Sequence, residues 1–310
     1  MTERFPVPRE YRERDRSPRR DTWCDRLPGR AELVAERRGL TPDGVPGYGF
    51  LSVVWPVRDR TGRTLVLKIH DHTAGTDGER IALEAARGPA LVELVNADPT
   101  ANALLLERLD PSHTLLDLGA DEACEVIGGL VAEISSHPAP PDLRCLADEA
   151  DRLRTSITAM LGRTPDVLPP AVAGRAVKTL ETCAAQVRSN PGPVKVVHGD
   201  LHYENVLHAL PGQPPRWVAI DPLPVAGYPE WEVAPVIRNR WDDAAATGDP
   251  ERALRRRFDI VCERAALDRH LAQAVLQAVA VDNVLWLSRA TDVGPLVRSF
   301  LHPYSIVARW

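Results

Sequence analysis

The thirteen residues VVHGDLHYENVLH, Val196 to His208, decide the reading of this chain. Apolar Val196-Val197 lead into a polar loop, and Val206-Leu207 lead out of it. A loop between two short strands presents its side chains at fixed spacing. This one offers His198, Asp200 and Asn205, in the pattern H-x-D-x-x-x-x-N. A second acid, Asp221, closes the apolar run WVAI a few residues on. Carboxylate and amide oxygens suit a hard cation such as Mg²⁺, which keeps waters and is shared with substrate phosphates. A carboxylate outside the metal set can accept a hydroxyl proton. By residue types alone, a hydrolase cluster of His198, Asp200, His202 and His208 is an alternative, and a plain polar turn is another.

Moving outward, the chain changes character near residue 110. Before it, Phe50–Val57 and Thr64–His70 are β-rich runs around the turn Arg-Asp-Arg-Thr-Gly, which predicts a hairpin. Leu91–Asn96 and Ala103–Arg108 are two further strand candidates, and Asp77–Arg87 reads as a helix closed by Gly88-Pro89. After Asp110-Pro111, Ala123, Val126, Ile127, Leu130, Val131 and Ile134 recur at helical spacing. Residues 143–162, 171–189, 249–266 and 268–289 read as helices too, with short strands returning over 194–221. Residues 1–28, Arg-rich and broken by Pro6, Pro8, Pro18 and Pro28, read as a loose arm, and 31–38 as a short amphipathic helix ended by Gly39.

Composition narrows the function classes. The chain has 310 residues and a net charge of −5, with 44% hydrophobic and 26% charged residues, the balance of a soluble globular protein. No stretch approaches the ~18 consecutive apolar residues of a membrane helix. The first twenty residues mix seven Arg with four acids and no apolar run follows, unlike a signal or transit peptide. Five scattered Cys without a C-x-x-C read as reduced thiols of a cytoplasmic protein. The acidic balance disfavours nucleic acid as a partner. All of the −5 lies in residues 111–310.

Only three of the 38 basic residues are Lys: Lys68, Lys178 and Lys195. Lys68 sits inside the apolar run TLVLKIH, where an ammonium is costly unless paired. Its partner is expected on the 77–87 helix, where Glu79 and Glu84 both qualify. Ahead of that strand, Gly44, Gly47 and Gly49 precede Ser52, and glycines let backbone N–H groups approach phosphate oxygens. The run is not a G-x-x-x-x-G-K-[ST] loop.

The loop at 198–205 followed by Asp221 resembles the catalytic segment of kinase-like aminoglycoside phosphotransferases. The stretch AIDPLPVAGYPEWEVAPVIRNRW (219–241) resembles the streptomycin 6-phosphotransferase and hydroxyurea phosphotransferase branch. The resemblance covers residues 40 to 300. It implies an α+β, bilobal, protein-kinase-like fold: a β-rich N-lobe over 29–109 and a helical C-lobe over 110–310. It implies Asp200 as catalytic base, with Asn205 and Asp221 as metal ligands. Lys68 would hold the phosphates of ATP or GTP beside Gly47, Gly49 and Ser52, paired by family spacing with Glu79. Backbone groups of Glu107 and Leu109, in the hinge segment LLLERLDP, would meet the adenine edge. The family usually has Asp where Glu232 stands, which bears on a hydrogen bond to the catalytic loop.

Acceptor residues are expected from the helices after 228. By position and type the candidates are Glu230, Trp231, Glu232, Asp242 and Asp282, with Asp243, Trp286 and Arg238 behind them; Arg238 and Arg240 read rather as braces on carboxylates. The function implied is transfer of a γ-phosphate to a hydroxyl of a streptomycin-like antibiotic. The alternatives are the same chemistry on hydroxyurea, a peptide antibiotic or a nucleoside antibiotic such as capuramycin, a catalytically silent kinase-like module, or a protein kinase. Missing D-F-G and A-P-E elements argue against the last.

Overall fold

The computed structural model describes residues 4–14, 18–71, 76–161, 167–190, 194–290 and 294–310. The chain forms two compact units: 1–110 with 208–216, and 111–207 with 217–310.

The first unit is built on one antiparallel sheet. Its elements are α1 (Arg9–Glu13), α2 (Pro18–Arg38), β1 (Thr41–Pro42), β2 (Gly47–Tyr48), β3 (Ser52–Arg58), β4 (Thr64–His70), α3 (Thr76–Ala85), β5 (Leu94–Asp98) and β6 (Ala103–Glu107). The strand order is β1-β3-β4-β6-β5, with β2 on β3. The expected hairpin forms with Ser52 opposite His70 and Arg58 opposite Thr64. Asp59 makes its turn: Oδ1 accepts from the N–H of Thr61 (2.8 Å) and of Arg63 (3.0 Å). Such an Asx side chain replaces a backbone acceptor, and so favours the reversal. In β4, Leu65, Leu67 and Ile69 fill one face of the sheet beside Val53, Trp55 and Val57 of β3.

The described N-terminal residues, 4–14 and 18–28, do not form the loose arm expected. Among those described, Phe5, Tyr11, Trp23, Cys24 and Leu27 are buried in the same core as Trp55 and Leu67. Trp23, Cys24, Leu27, Ala31, Val34 and Ala35 form one helical stripe, so the helix expected at 31–38 runs from Pro18. Pro28 had suggested a break. It lacks the N–H that would meet the carbonyl of Cys24, and the guanidinium of Arg12 donates to that carbonyl instead, at 3.2 Å. A Pro inside a helix is tolerated when another donor serves the orphaned oxygen.

The second unit is helical, with short strands framing the polar loop. Its elements are α4 (Ala120–Ile134), α5 (Leu146–Leu161), α6 (Pro170–Ser189), β8 (Lys195–Val197), β9 (Val206–Ala209), β10 (Trp217–Ala219), β11 (Val225–Gly227), α7 (Val233–Arg238), α8 (Trp241–Ala246), α9 (Pro250–Arg264), α10 (Arg269–Leu287), α11 (Pro295–Ser299) and α12 (Leu301–Val307). The strand β7 (Leu109–Thr114) leads into it. The starts of α9 and α10 are set by side-chain caps: Asp249 accepts from the N–H of Arg252, and Asp268 from those of His270 and Leu271. β8 pairs antiparallel with β11, Val197 opposite Val225. Among the described residues no helix is long and apolar enough to cross a membrane.

The buried N-terminal segment predicts a measurable cost. Phe5→Ala removes a ring that meets Trp55 edge-on at 6.1 Å. It should lower the unfolding free energy by about 3–5 kcal/mol in a denaturant titration. A loose arm would lose nothing.

Candidate active site

In the second unit the loop after β8 is fixed by a buried imidazole. His198 is 1% exposed. Its Nε2–H donates to the carbonyl of Ile220 at 3.0 Å, and its Nδ1 accepts from the N–H of Asp200 at 3.3 Å. That pattern requires the neutral ring, with its proton on Nε2. Burial drives the same way, lowering the His198 pKa to about 4 against the pull of Asp200. Both nitrogens are spent, so His198 is no metal ligand. Among the described residues no group of three or more His, Cys, Asp or Glu could hold a metal ion. His198 is therefore not available to the cluster with His202 and His208 that the residue types allowed.

The same loop holds two of the three expected oxygen-bearing residues, and the third, Asp221, follows β10. Asn205 Nδ2 donates to the carbonyl of Asp200 at 2.9 Å and lies 3.4 Å from Asp200 Oδ2. The N–H of Ile220 donates to the carbonyl of Asn205 at 2.9 Å. Asp200, Asn205 and the residue before Asp221 therefore share one hydrogen-bonded frame. Asp221 has φ of 61°, a left-handed backbone that Asp tolerates better than most residues. Gly199, at φ 80°, lies so close to the 221–224 segment that a Cβ would collide with the carbonyl of Leu223.

Two charged side chains brace the loop. The guanidinium of Arg238, at the end of α7, pairs with Asp200 Oδ1. Arg238 also lies over the ring of Phe300 at 5.4 Å. The residue types placed Arg238 as a brace; the structure shows that the carboxylate it holds is Asp200. Glu232 Oε1 accepts from the N–H of Gly199 at 3.0 Å, so the loop bond usual for Asp is made by the longer side chain. Burial pushes the Glu232 carboxyl up to about 7, against the backbone amides of Gly199, His198 and Leu201.

The structure places four of the proposed acceptor residues in the interior. Glu232 is 2% exposed and serves the loop. Glu230 is buried, and its Oε1 accepts from the N–H of Asp268 at 3.1 Å, fixing the start of α10. Trp231 is buried with them. These residues form a single 3₁₀ turn over Pro229–Glu232, too short to show a period that separates inside from outside. Asp282 is also buried, its carboxyl pushed up by desolvation beside Ser156 and Arg152. Asp242 is exposed on α8, and Asp243 pairs with Arg240.

In the first unit, Lys68 Nζ lies 2.8 and 2.9 Å from the two oxygens of Glu79. Both are buried, and His70 Nε2 lies 2.8 Å from Glu79 Oε2. Glu84 pairs with Arg80 on the outer side of α3. Gly47 lies in β2 opposite Val54, and Gly49 N–H donates to Ser52 O at 2.9 Å, so these glycines and Ser52 form a hairpin tip. The N–H of Glu107 donates to Glu93 O at 3.0 Å, and its carboxylate binds Arg216 at 2.6 Å. That N–H is therefore spent inside the unit. Leu109 begins β7 and is buried.

The buried carboxyl of Glu232 sets a pH dependence. Its pKa is higher folded than unfolded, so its contribution to stability is full below about 4.5 and is lost as pH rises through about 7. His198 runs the other way, its lowered pKa adding stability as pH rises from about 4 to about 6.5. The difference between wild type and Glu232→Gln isolates the first group. The Tm of wild type relative to the variant should fall between pH 4.5 and 7. A constant difference across that window would contradict the assignment.

Residues 37–291 match the family model described as aminoglycoside/hydroxyurea antibiotic resistance kinase. The chain is 36% identical over 265 residues to the streptomycin 6-kinase of Streptomyces glaucescens, covering 85% of this chain and 84% of that one. It is 34% identical over 267 residues to the hydroxyurea phosphotransferase of Kitasatospora aureofaciens, covering 85% and 74%. A solved aminoglycoside phosphotransferase in ternary complex with ADP and hygromycin B superposes with a TM-score of 0.54 at 17% identity, over 90% of this chain and 97% of that one. The α+β, kinase-like fold is therefore shared. The chain belongs to the aminoglycoside/hydroxyurea antibiotic resistance kinase family and is a small-molecule phosphotransferase.

Proposed function

We propose that this enzyme transfers the γ-phosphate of ATP or GTP to a hydroxyl of a streptomycin-like aminoglycoside. The observation that carries the chemistry is the Asp200 carboxylate, held on Oδ1 by Arg238 and backed by Asn205. Asp200 Oδ2 is the oxygen not paired with Arg238, and it accepts the hydroxyl proton as the acceptor oxygen bonds to Pγ. The bond from Pγ to the bridging oxygen breaks, and the nucleoside diphosphate leaves. Lys68, positioned by Glu79, holds phosphate oxygens, and the hairpin tip at Gly47, Gly49 and Ser52 offers backbone N–H groups to them.

The donor set suits Mg²⁺. Asn205 spends its amide nitrogen on Asp200, which leaves Oδ1 as its acceptor, and Asp221 adds a carboxylate. Two hard protein oxygens fit an ion that keeps waters and phosphate oxygens better than they fit a full protein cage. When bound there, Mg²⁺ supplies charge neutralisation at the phosphates. Catalysis is then mainly positioning and electrostatics.

An aminoglycoside is the first acceptor because residues 111–310 carry the whole −5, with Asp242 exposed on α8. Hydroxyurea is the second reading, supported by the 34% identity over 85% of the chain. Peptide and nucleoside antibiotics, capuramycin among them, belong in the same assay. A panel of these compounds with ATP and with GTP, read by product mass and then by NMR for the modified hydroxyl, separates the readings. Transfer to hydroxyurea and not to streptomycin would overturn the first.

Two substitutions test the roles. Asp200→Ala should cut kcat by about 10²–10⁴ while nucleotide affinity survives. Retention of most turnover would remove Asp200 as the base. Lys68→Arg should lower kcat/KM for the nucleotide by about tenfold or more, because a planar fork does not replace a compact ammonium.

A further inference from the structure

We infer that the N-terminal segment, residues 4–14, is a strap that presets the glycine-rich hairpin tip for nucleotide phosphates. This segment lies outside the residues matched by the family model, 37–291. The inference rests on the reading of the tip as the phosphate-binding turn.

Arg14 donates to two successive carbonyls of the tip, those of Gly49 and Phe50. Its guanidinium lies over the ring of Phe50 at 4.5 Å. One turn back along the strap, the Tyr11 ring meets Tyr48 at 5.7 Å. The strap itself is immobile at its root. Phe5 and Tyr11 are buried, and Trp55 Nε1 donates to the carbonyl of Pro6 at 2.8 Å. A fixed root and a guanidinium fork together hold a turn whose glycines leave it free to deform.

Peptide planarity gives the bonds a consequence. In a trans peptide the C=O and the following N–H point in opposite directions. Drawing the carbonyls of Gly49 and Phe50 towards Arg14 therefore turns the N–H groups of Phe50 and Leu51 away from it. Two successive N–H groups on one side of a turn make a concavity for an anion. Arg14 thus acts as a positioning residue: it touches no nucleotide, and it fixes the peptide planes that do. The ligand class is a nucleoside triphosphate, bound through its β- and γ-phosphates.

Kinetics of the full-length enzyme test this. Arg14 is exposed, so Arg14→Ala should fold. Loss of its hydrogen bonds should raise the nucleotide KM and Kd about five- to tenfold, with the acceptor KM unchanged. Arg14→Lys should recover part of the loss, because one ammonium cannot span both carbonyls as a fork does. Amide hydrogen exchange at 49–52 should quicken in Arg14→Ala. Gly49→Val serves as the control on the underlying reading. If Gly49→Val raises the nucleotide KM and Arg14→Ala leaves both KM and exchange unchanged, the strap is refuted and the phosphate turn stands. If neither variant moves nucleotide affinity, the phosphate turn itself is refuted, and the strap falls with it.

Discussion

One uncharged ring governs the loop. His198 joins the N–H of Asp200 to the carbonyl of Ile220, two groups that lie far apart in sequence and adjacent in space. Left without partners, two part-buried polar groups would cost up to about 1–3 kcal/mol each. Because the ring is neutral, it makes both bonds without desolvating a charge. It also sets the distance across which Asn205 spans, with its side chain on Asp200 and its carbonyl on Ile220. Gly199 belongs to the same constraint, since any Cβ there would push the 221–224 segment off the loop.

This frame was legible in the sequence because it is local. Asp200 and Asn205 sit in one loop, and Asp221 ends the next apolar run, so spacing alone brings the oxygens near each other. Lys68 was legible for a different reason: a lone ammonium in an apolar strand demands a partner. Which partner was a tertiary question. Glu79 and Glu84 lie on different faces of α3, and only the placement of that helix in the unit turns Glu79 inward to Lys68. The burial of the acids at 230 and 232 was not legible because a 3₁₀ turn carries no period, and a buried carboxylate held by backbone amides looks, as a string, like a solvated one. The N-terminus was misread because Pro and Arg dominate its composition. Its apolar residues are few, yet nearly all of those described are buried, and Arg12 repairs the helix where Pro28 interrupts it.

Glu232 shows how a substitution of one methylene can be absorbed. The carboxylate is buried, and its raised pKa records an unfavourable environment for charge. The backbone amide of Gly199 and its neighbours supply the opposing pull. The position therefore needs an acceptor aimed at the loop more than it needs a particular chain length. The balance between burial and amides then lies near neutral pH.

The chain's bias toward Arg makes its division of labour visible. Arg238 holds Asp200 by its rigid fork and stacks on Phe300, so it fixes where one carboxylate oxygen points. Arg14 uses the same geometry on two carbonyls. Both tasks are orientation, which planar donors do well. Lys68 has another task. In the phosphate-holding role proposed for it, a compact ammonium with three donors on a rotatable stem can serve Glu79 and a phosphate oxygen together. A guanidinium in its place would present a planar fork to Glu79. That difference accounts for a Lys at this position in a chain that otherwise uses Arg for almost every cation.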